Sequence, residues 1–184
     1  MLDPRLLEIL ACPVCKAALD YRETVLVCLQ CRRHYPVKDG IPDLIAQEAG
    51  FLARVLFVCV ENSCRSQMAE GFARKLGGGL IEASSAGSKP SGSIDPMAVQ
   101  AMREKGIDLS GQSSKGLPES SEAWDCVVSM GCGDQCPQLP AKRRLDWEIP
   151  DPKGRPVEEF RGVRDLIEEK VRELLGSLGP SPAA

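Results

Sequence analysis

Histidine is almost missing from this chain: His34 is the only one in 184 residues. Any nucleophile here must be activated by something other than an imidazole base. Excess charge is missing too. A net charge of −3 and a pI near 5.4 give no electrostatic footprint for nucleic acid or for a membrane surface. No apolar run approaches the roughly 20 residues of a helical membrane span. The start, Met1-Leu2-Asp3-Pro4-Arg5, is not a basic stretch leading to an apolar core and a cleavage site. No secretion signal is read, and a cytoplasmic location is expected. There is no internal repeat.

Cysteine, by contrast, is abundant, with nine residues. In a reducing compartment that count points to metal binding and thiol chemistry before structural disulfides. The cysteines fall into three groups. Cys12, Cys15, Cys28 and Cys31 lie near the start. Cys59 and Cys64 flank a short loop, and Cys126, Cys132 and Cys136 come late.

Residues 1–50 read as a small first unit. A helix is predicted over Pro4–Leu10, with strands near Leu19–Tyr21 and Thr24–Val27 and a turn at Lys38–Pro42. So small a unit buries little core and needs a staple. The pairs Cys12-Pro13-Val14-Cys15 and Cys28-Leu29-Gln30-Cys31 supply one: two C-x-x-C grips close a tetrahedral site for a structural zinc. With four thiolates available, His34 is not needed as a ligand.

From Arg54 onward strands and helices alternate, which implies a parallel sheet covered on both faces. Strands are predicted at Val55–Val58, Ile81–Ser85 and Asp125–Met130. Helices are predicted at Ser66–Leu76, at Asp95–Lys105 with Asp95 as cap and Gly106 as stop, and at Val157–Leu175 with Gly176 after it. The units read as 1–50 and 54–176, with a frayed tail at 177–184.

Between the first of these strands and its helix lies Cys59-Val60-Glu61-Asn62-Ser63-Cys64-Arg65-Ser66. A thiol at a strand end and an arginine at a helix start bracket a loop whose amides can form a cup. Such a cup binds a tetrahedral oxyanion through Val60, Glu61, Asn62, Ser63, Cys64 and Arg65. Its positive field favours the thiolate, so Cys59 is expected to react as a nucleophile near neutral pH. The guanidinium of Arg65 adds a paired-donor clamp. Phosphate-ester hydrolysis and thiol-driven reduction of an oxyanion both fit such a cup. Gly131-Cys132-Gly133-Asp134-Gln135-Cys136 favours reduction, because two thiols in a flexible loop after a strand can exchange disulfides in sequence. Cys64 and Cys126 read as buried packing residues, as do Trp124 and Trp147.

Two resemblances sharpen this reading. Asp3 to Cys15, with Tyr35-Pro36-Val37-Lys38-Asp39-Gly40-Ile41-Pro42, resembles the small zinc-ribbon proteins related to the activator subunit of tRNA and protein methyltransferases. That resemblance implies a protein-docking role and no chemistry. A binding module that activates a methyltransferase is thus one alternative function. Residues from 54 to about 175 resemble arsenate reductases of the thioredoxin-coupled class, which share the low-molecular-weight tyrosine phosphatase fold. The match rests on Cys59–Arg65, Ser66-Gln67-Met68-Ala69-Glu70-Gly71, Ser85-Ala86-Gly87 and Asp151-Pro152. Gln67 stands where the phosphatases commonly carry proline; a phosphatase of this fold is the other alternative.

The second resemblance implies a four-stranded parallel sheet with helices on both faces, and it implies roles. Cys59 attacks arsenate, Arg65 and the loop amides stabilise the oxyanion, Ser66 orients the sulfur, and Asp151 donates a proton. Cys132 then attacks the adduct, and Cys136 takes over the disulfide. Thioredoxin, or a glutaredoxin- or mycoredoxin-type reductant, resets the pair. Some members bind potassium through an asparagine, a glutamate, a serine and an aspartate. Asn62, Glu70 and Ser85 match three of these, while Lys115 replaces the aspartate, so its ammonium is expected at the cation position and no potassium is predicted.

Overall fold

A computed structural model describes residues 3–31, 33–45, 50–51, 53–77, 81–119, 123–131 and 139–178. The chain divides into two compact units, one built mainly on Met1–Ala53 and the other on Arg54–Leu76 with Ala83–Ser177.

The first unit opens with α1 (Pro4–Ile9). Its cap follows from sequence: the Asp3 carboxylate accepts from the Arg5 N–H at 2.9 Å, and Pro4 fills the first turn. Strands β1 (Leu19–Arg22), β2 (Val25–Cys28), β3 (Arg33–Lys38), β4 (Ile41–Pro42) and β5 (Gly50–Phe51) follow. They pair antiparallel in the order β1-β2-β3-β4, and β5 also pairs with β3. The predicted turn is present: Asp39 and Gly40 have φ of 52° and 76°, the left-handed pair that a two-residue hairpin demands. The core is small. Cys12, Leu19, Leu26, Cys28, Tyr35 and Val37 are buried together, with Leu6, Leu7 and Leu10 packed against them.

The second unit contains β6 (Ala53–Cys59), α2 (Arg65–Gly77), β7 (Ile81–Gly87), α3 (Pro96–Glu104), β8 (Trp124–Ser129), β9 (Ala141–Asp146) and α4 (Val157–Leu178). Its sheet runs β7-β6-β8-β9. β6 pairs parallel with β8, and β8 pairs parallel with β9. Neighbours β6 and β7 are joined through α2, the kind of crossover a parallel pair requires. Val55, Leu56, Phe57 and Val58 are all at most 1% exposed. Successive side chains on a strand point to opposite faces, so both faces of the sheet are covered.

Helix packing follows the apolar spacing. On α2, Met68, Ala69, Phe72 and Ala73 are buried, and burying a phenylalanine alone is worth about 1.5–3 kcal/mol. Gly71 permits close seating, since a Cβ there would come within 2.8 Å of Leu109. Asp95 caps α3 as predicted, accepting from Met97 N–H at 2.8 Å. Gly106, at φ 67°, follows its end. On α4, Phe160, Val163, Ile167, Val171 and Leu174 form a buried stripe at three- and four-residue steps.

Three departures from expectation stand out. β3, β4, β5 and β9 were not among the predicted strands. α4 runs on to Leu178, so Gly176 lies inside it rather than after it. Of the tail predicted at 177–184, Ser177 and Leu178 belong to α4; its remainder, with Cys132 and Cys136, lies outside the described residues. No described helix is long and apolar enough to cross a membrane.

Candidate functional site

β6 ends at Cys59 and α2 begins at Arg65, so the loop between them is held by a strand at one side and a helix N-terminus at the other. Its carbonyls are all engaged elsewhere. Cys59 O accepts from Ser88 N–H at 3.3 Å, Val60 O from Lys89 at 2.8 Å, Glu61 O from Ser91 at 3.0 Å and Ser63 O from Asp95 at 3.0 Å. A trans peptide points its N–H opposite to its C=O. Tying these oxygens to 88–95 therefore turns the partner amides the other way, as an anion cup requires. Gly87 makes the close approach possible: a Cβ there would lie 2.8 Å from Val60 O and 2.9 Å from Asn62 N.

Cys59 is 2% exposed, and its Sγ lies 3.0 Å from Ser66 Oγ. Ser66 accepts from Asn62 Nδ2 at 2.8 Å, and the same amide donates to Ser85 Oγ at 2.8 Å. Asn62 Oδ1 accepts from Gln67 Nε2 at 2.9 Å and from Lys115 N–H at 2.8 Å. With both ends of its amide used, Asn62 has one orientation, and it sits there at φ 50°. Gln67 is itself pinned. It donates to Ser113 O at 2.8 Å and accepts from Gln112 Nε2 at 2.6 Å.

Beyond Ser85 lies Glu70, fully buried. Its Oε2 accepts from the Ser85 hydroxyl and lies 3.3 Å from Lys115 Nζ, and its Oε1 lies 2.5 Å from Arg74 Nη2. The Lys115 ammonium thus stands against the Asn62–Ser85–Glu70 set.

Arg65, 5% exposed, reaches across to the loop after β9. Its Nη2 donates to Asp151 Oδ2 at 2.7 Å and its Nη1 to Ile149 O at 3.2 Å. Its Nε is buried without a hydrogen-bond partner among the described residues. Gly131, at φ 68°, packs on the guanidinium: a Cβ there would lie 2.6 Å from Nη1. Met130 N–H donates to Val58 O at 2.8 Å, so β8 ends beside the end of β6. The structure therefore brings Cys59, Arg65, Ser66 and Asp151 to one place, with Val60 to Cys64 as the connecting loop.

Cys64 and Cys126 are buried, as the sequence suggested. Burial pushes the Cys64 thiol up to about 12, and burial raises Cys126 as well. Trp124 and Trp147 are packing residues: Arg54 lies 4.6 Å over the Trp124 ring, and Trp147 meets Phe57 with centroids 5.8 Å apart. Not legible in the sequence were Gly131 against Arg65, Gln112 against Gln67 of α2, and Lys153 paired with Glu61 of the loop.

In the first unit, the sulfurs of Cys12, Cys15, Cys28 and Cys31 all lie within 4.8 Å of one another. Cys12 and Cys31 approach to 3.6 Å and Cys15 and Cys28 to 3.3 Å. A tetrahedral ion with metal–sulfur bonds of about 2.3 Å places sulfurs about 3.8 Å apart, so the cluster fits a metal. Tyr35, fully buried, sets its hydroxyl 3.1 Å from Cys12 Sγ. Cys31 N–H donates to Cys28 Sγ at 3.4 Å. Burial alone would raise Cys12, but hydrogen bonds from Tyr35 and nearby backbone outweigh it and lower its pKa to about 6.

Comparison with known proteins agrees with both units. Residues 3–40 match the Trm112p-like protein family. Residues 54–182 match the family described as low molecular weight phosphotyrosine protein phosphatase. A glutaredoxin arsenate reductase of Synechocystis sp. is 41% identical over 131 residues, covering 69% of this chain and 99% of that one. The solved structure of an arsenate reductase in the phosphate binding state superposes with a TM-score of 0.64 at 41% identity, covering 69% of this chain and 99% of that one. A thioredoxin-dependent arsenate reductase of Corynebacterium glutamicum gives a TM-score of 0.59 at 35% identity, covering 69% of this chain and 62% of that one. The chain belongs to the low molecular weight phosphotyrosine protein phosphatase family, with a Trm112p-like unit in front.

Proposed function

We propose that this protein reduces arsenate to arsenite, with Cys59 as nucleophile and Cys132 and Cys136 as the source of electrons. The observation that carries the reading is the arrangement around Cys59. Its sulfur sits in a loop whose carbonyls are turned outward, against a serine held by Asn62, with Arg65 at the rim. Such a site favours a tetrahedral anion held against the Cys59 sulfur.

The Cys59 thiolate displaces one arsenate oxygen, and Asp151, about half exposed, relays to that oxygen a proton taken up from solvent, with which it leaves. Asp151 lies 2.7 Å from the Arg65 guanidinium, which puts its carboxyl beside any oxygen that guanidinium holds. The Cys132 thiolate then attacks Cys59 sulfur. A sulfur–sulfur bond forms, the sulfur–arsenic pair of electrons stays with arsenic, and arsenite departs. Cys136 attacks Cys132, which releases Cys59 and leaves a Cys132–Cys136 disulfide. Cys132 follows Gly131 directly in sequence, and Gly131 lies against Arg65. A dithiol protein of the thioredoxin or glutaredoxin type returns the pair to thiols. The relay needs free cysteines at rest, so it suits a reducing, cytoplasmic compartment.

For the four-cysteine cluster we infer a structural zinc: the donor set is all thiolate and closed, with no open position for chemistry. The Trm112p-like unit then serves to dock a protein partner. Substituting Cys132 tests the main reading against the phosphatase one. A phosphatase has no use for that thiol, so Cys132→Ser should keep any hydrolysis of a phenyl phosphate and lose arsenite production. Full arsenate reduction by Cys132→Ser would refute the relay.

A further inference from the structure

Glu61 is a carboxylate within an anion-binding loop, which by charge alone opposes the ligand. Its backbone is fixed: Glu61 O accepts from Ser91 N–H at 3.0 Å and from Ser114 Oγ at 2.9 Å. Its side chain is ion-paired with Lys153 Nζ. Lys153 lies two residues beyond Asp151 and does two things at once. Its N–H donates to Asp151 Oδ1 at 3.1 Å, while its ammonium reaches Glu61. Asp151 Oδ2 in turn meets Arg65. The circuit Glu61–Lys153–Asp151–Arg65 closes on the loop that runs from Glu61 to Arg65.

We propose, resting on the reading of the cup as the arsenate site, that the Glu61–Lys153 pair is a positioning and specificity element: it cancels the carboxylate beside the cup and straps the Asp151 turn to the anion loop. The bond to Glu61 also raises the Lys153 pKa, so the ammonium stays charged throughout the working pH range. Lys153 and Glu61 are half-exposed, at 52% and 34%, so the pair adds little to folding stability. Its weight falls on the oxyanion. A carboxylate left unpaired several ångströms from a dianion weakens binding by about fivefold even when it is screened as in bulk water.

Two measurements on the full chain test this: equilibrium binding of inorganic phosphate by calorimetry, and steady-state arsenate reduction. In Lys153→Met the phosphate Kd and the arsenate KM should rise about fivefold, less so at high salt, and kcat should fall because the Asp151 turn is loosened. Adding Glu61→Gln to Lys153→Met should bring Kd back to near the parent value without restoring kcat. The exchanged pair, Glu61→Lys with Lys153→Glu, should recover kcat above that of either single variant. Melting temperatures should match the parent throughout. An unchanged Kd in Lys153→Met, or a double variant that binds phosphate as weakly as Lys153→Met, would overturn the proposal. A parent that binds phosphate but makes no arsenite would sink the arsenate reading, while the phosphate series would still decide the role of the pair.

Discussion

Ser66 Oγ lies 3.0 Å from Cys59 Sγ while it accepts from Asn62 Nδ2 at 2.8 Å. Once the sulfur is ionised, only the serine proton remains to fill the contact, so the hydroxyl donates to the nucleophile. Asn62 cannot turn away, because Gln67 and Lys115 hold its other end. The orientation of one hydroxyl is thus set by residues spread from Asn62 to Lys115.

Ser66→Ala removes that hydrogen bond without opening the loop. A bond to a charged group is worth about 2 kcal/mol, or about thirtyfold in the rate of the step it assists. Rapid-quench measurement of the Cys59–arsenic adduct should show that loss, and the Asn62 amide proton left unpaired should lower stability by about 1–3 kcal/mol in denaturant unfolding.

Gly131→Ala should be costly for its size. The residue sits at φ 68°, and the new methyl would lie 2.6 Å from Arg65 Nη1. The left-handed backbone costs an alanine about 1–2 kcal/mol, and the guanidinium must shift besides. Denaturant unfolding should report a loss of that order. Phosphate binding should weaken by about tenfold or more, as expected when a two-donor clamp loses its geometry.

Cys64 carries a pH signature. Its thiol is pushed by burial from an ordinary value near 9 up to about 12. The unfolded chain loses this proton first, so stability from the buried neutral thiol is full below pH 9. It drains as the pH rises toward 12. Cys64→Ala should flatten that alkaline decline in the denaturant midpoint. Native protein at pH 7.5 should leave Cys64 and Cys126 unreacted with iodoacetamide, since both are buried with raised pKa values.

Metal removal separates the units. A thiol-modifying reagent should release about one zinc per chain, followed by loss of the Met1–Ala53 unit, whose core is too small to stand without a staple. A colorimetric zinc assay beside circular dichroism checks this; metal-free protein with that unit still folded would refute the zinc.

The legible parts of the sequence were those with local rules. The strand–loop–helix around Cys59, the Asp95 cap and the Asp39-Gly40 turn each depend on a few adjacent residues. β9 was not legible, because Ala141-Lys142-Arg143-Arg144-Leu145-Asp146 is an edge strand with mostly exposed side chains and so no apolar alternation. β3 was hidden by Arg33, His34, Pro36 and Lys38, with only Tyr35 and Val37 buried. Gly176 read as a helix stop, yet nothing lies near where its Cβ would be, and α4 passes through it for the ordinary cost of a helical glycine, about 1 kcal/mol. Within the site, Gly131 against Arg65 and Lys153 against Glu61 join residues 66 and 92 apart, and no local pattern encodes such a contact.

The central claim is that Cys59 and a pair of downstream thiols pass two electrons to arsenate. A single-turnover experiment with pre-reduced protein, no external reductant and excess arsenate tests it directly. The expected yield is about one arsenite per chain with a Cys132–Cys136 disulfide by mass spectrometry, and Cys132→Ser should release none and retain arsenic on Cys59. Arsenite released at full rate by Cys132→Ser, or none from the parent, would contradict it.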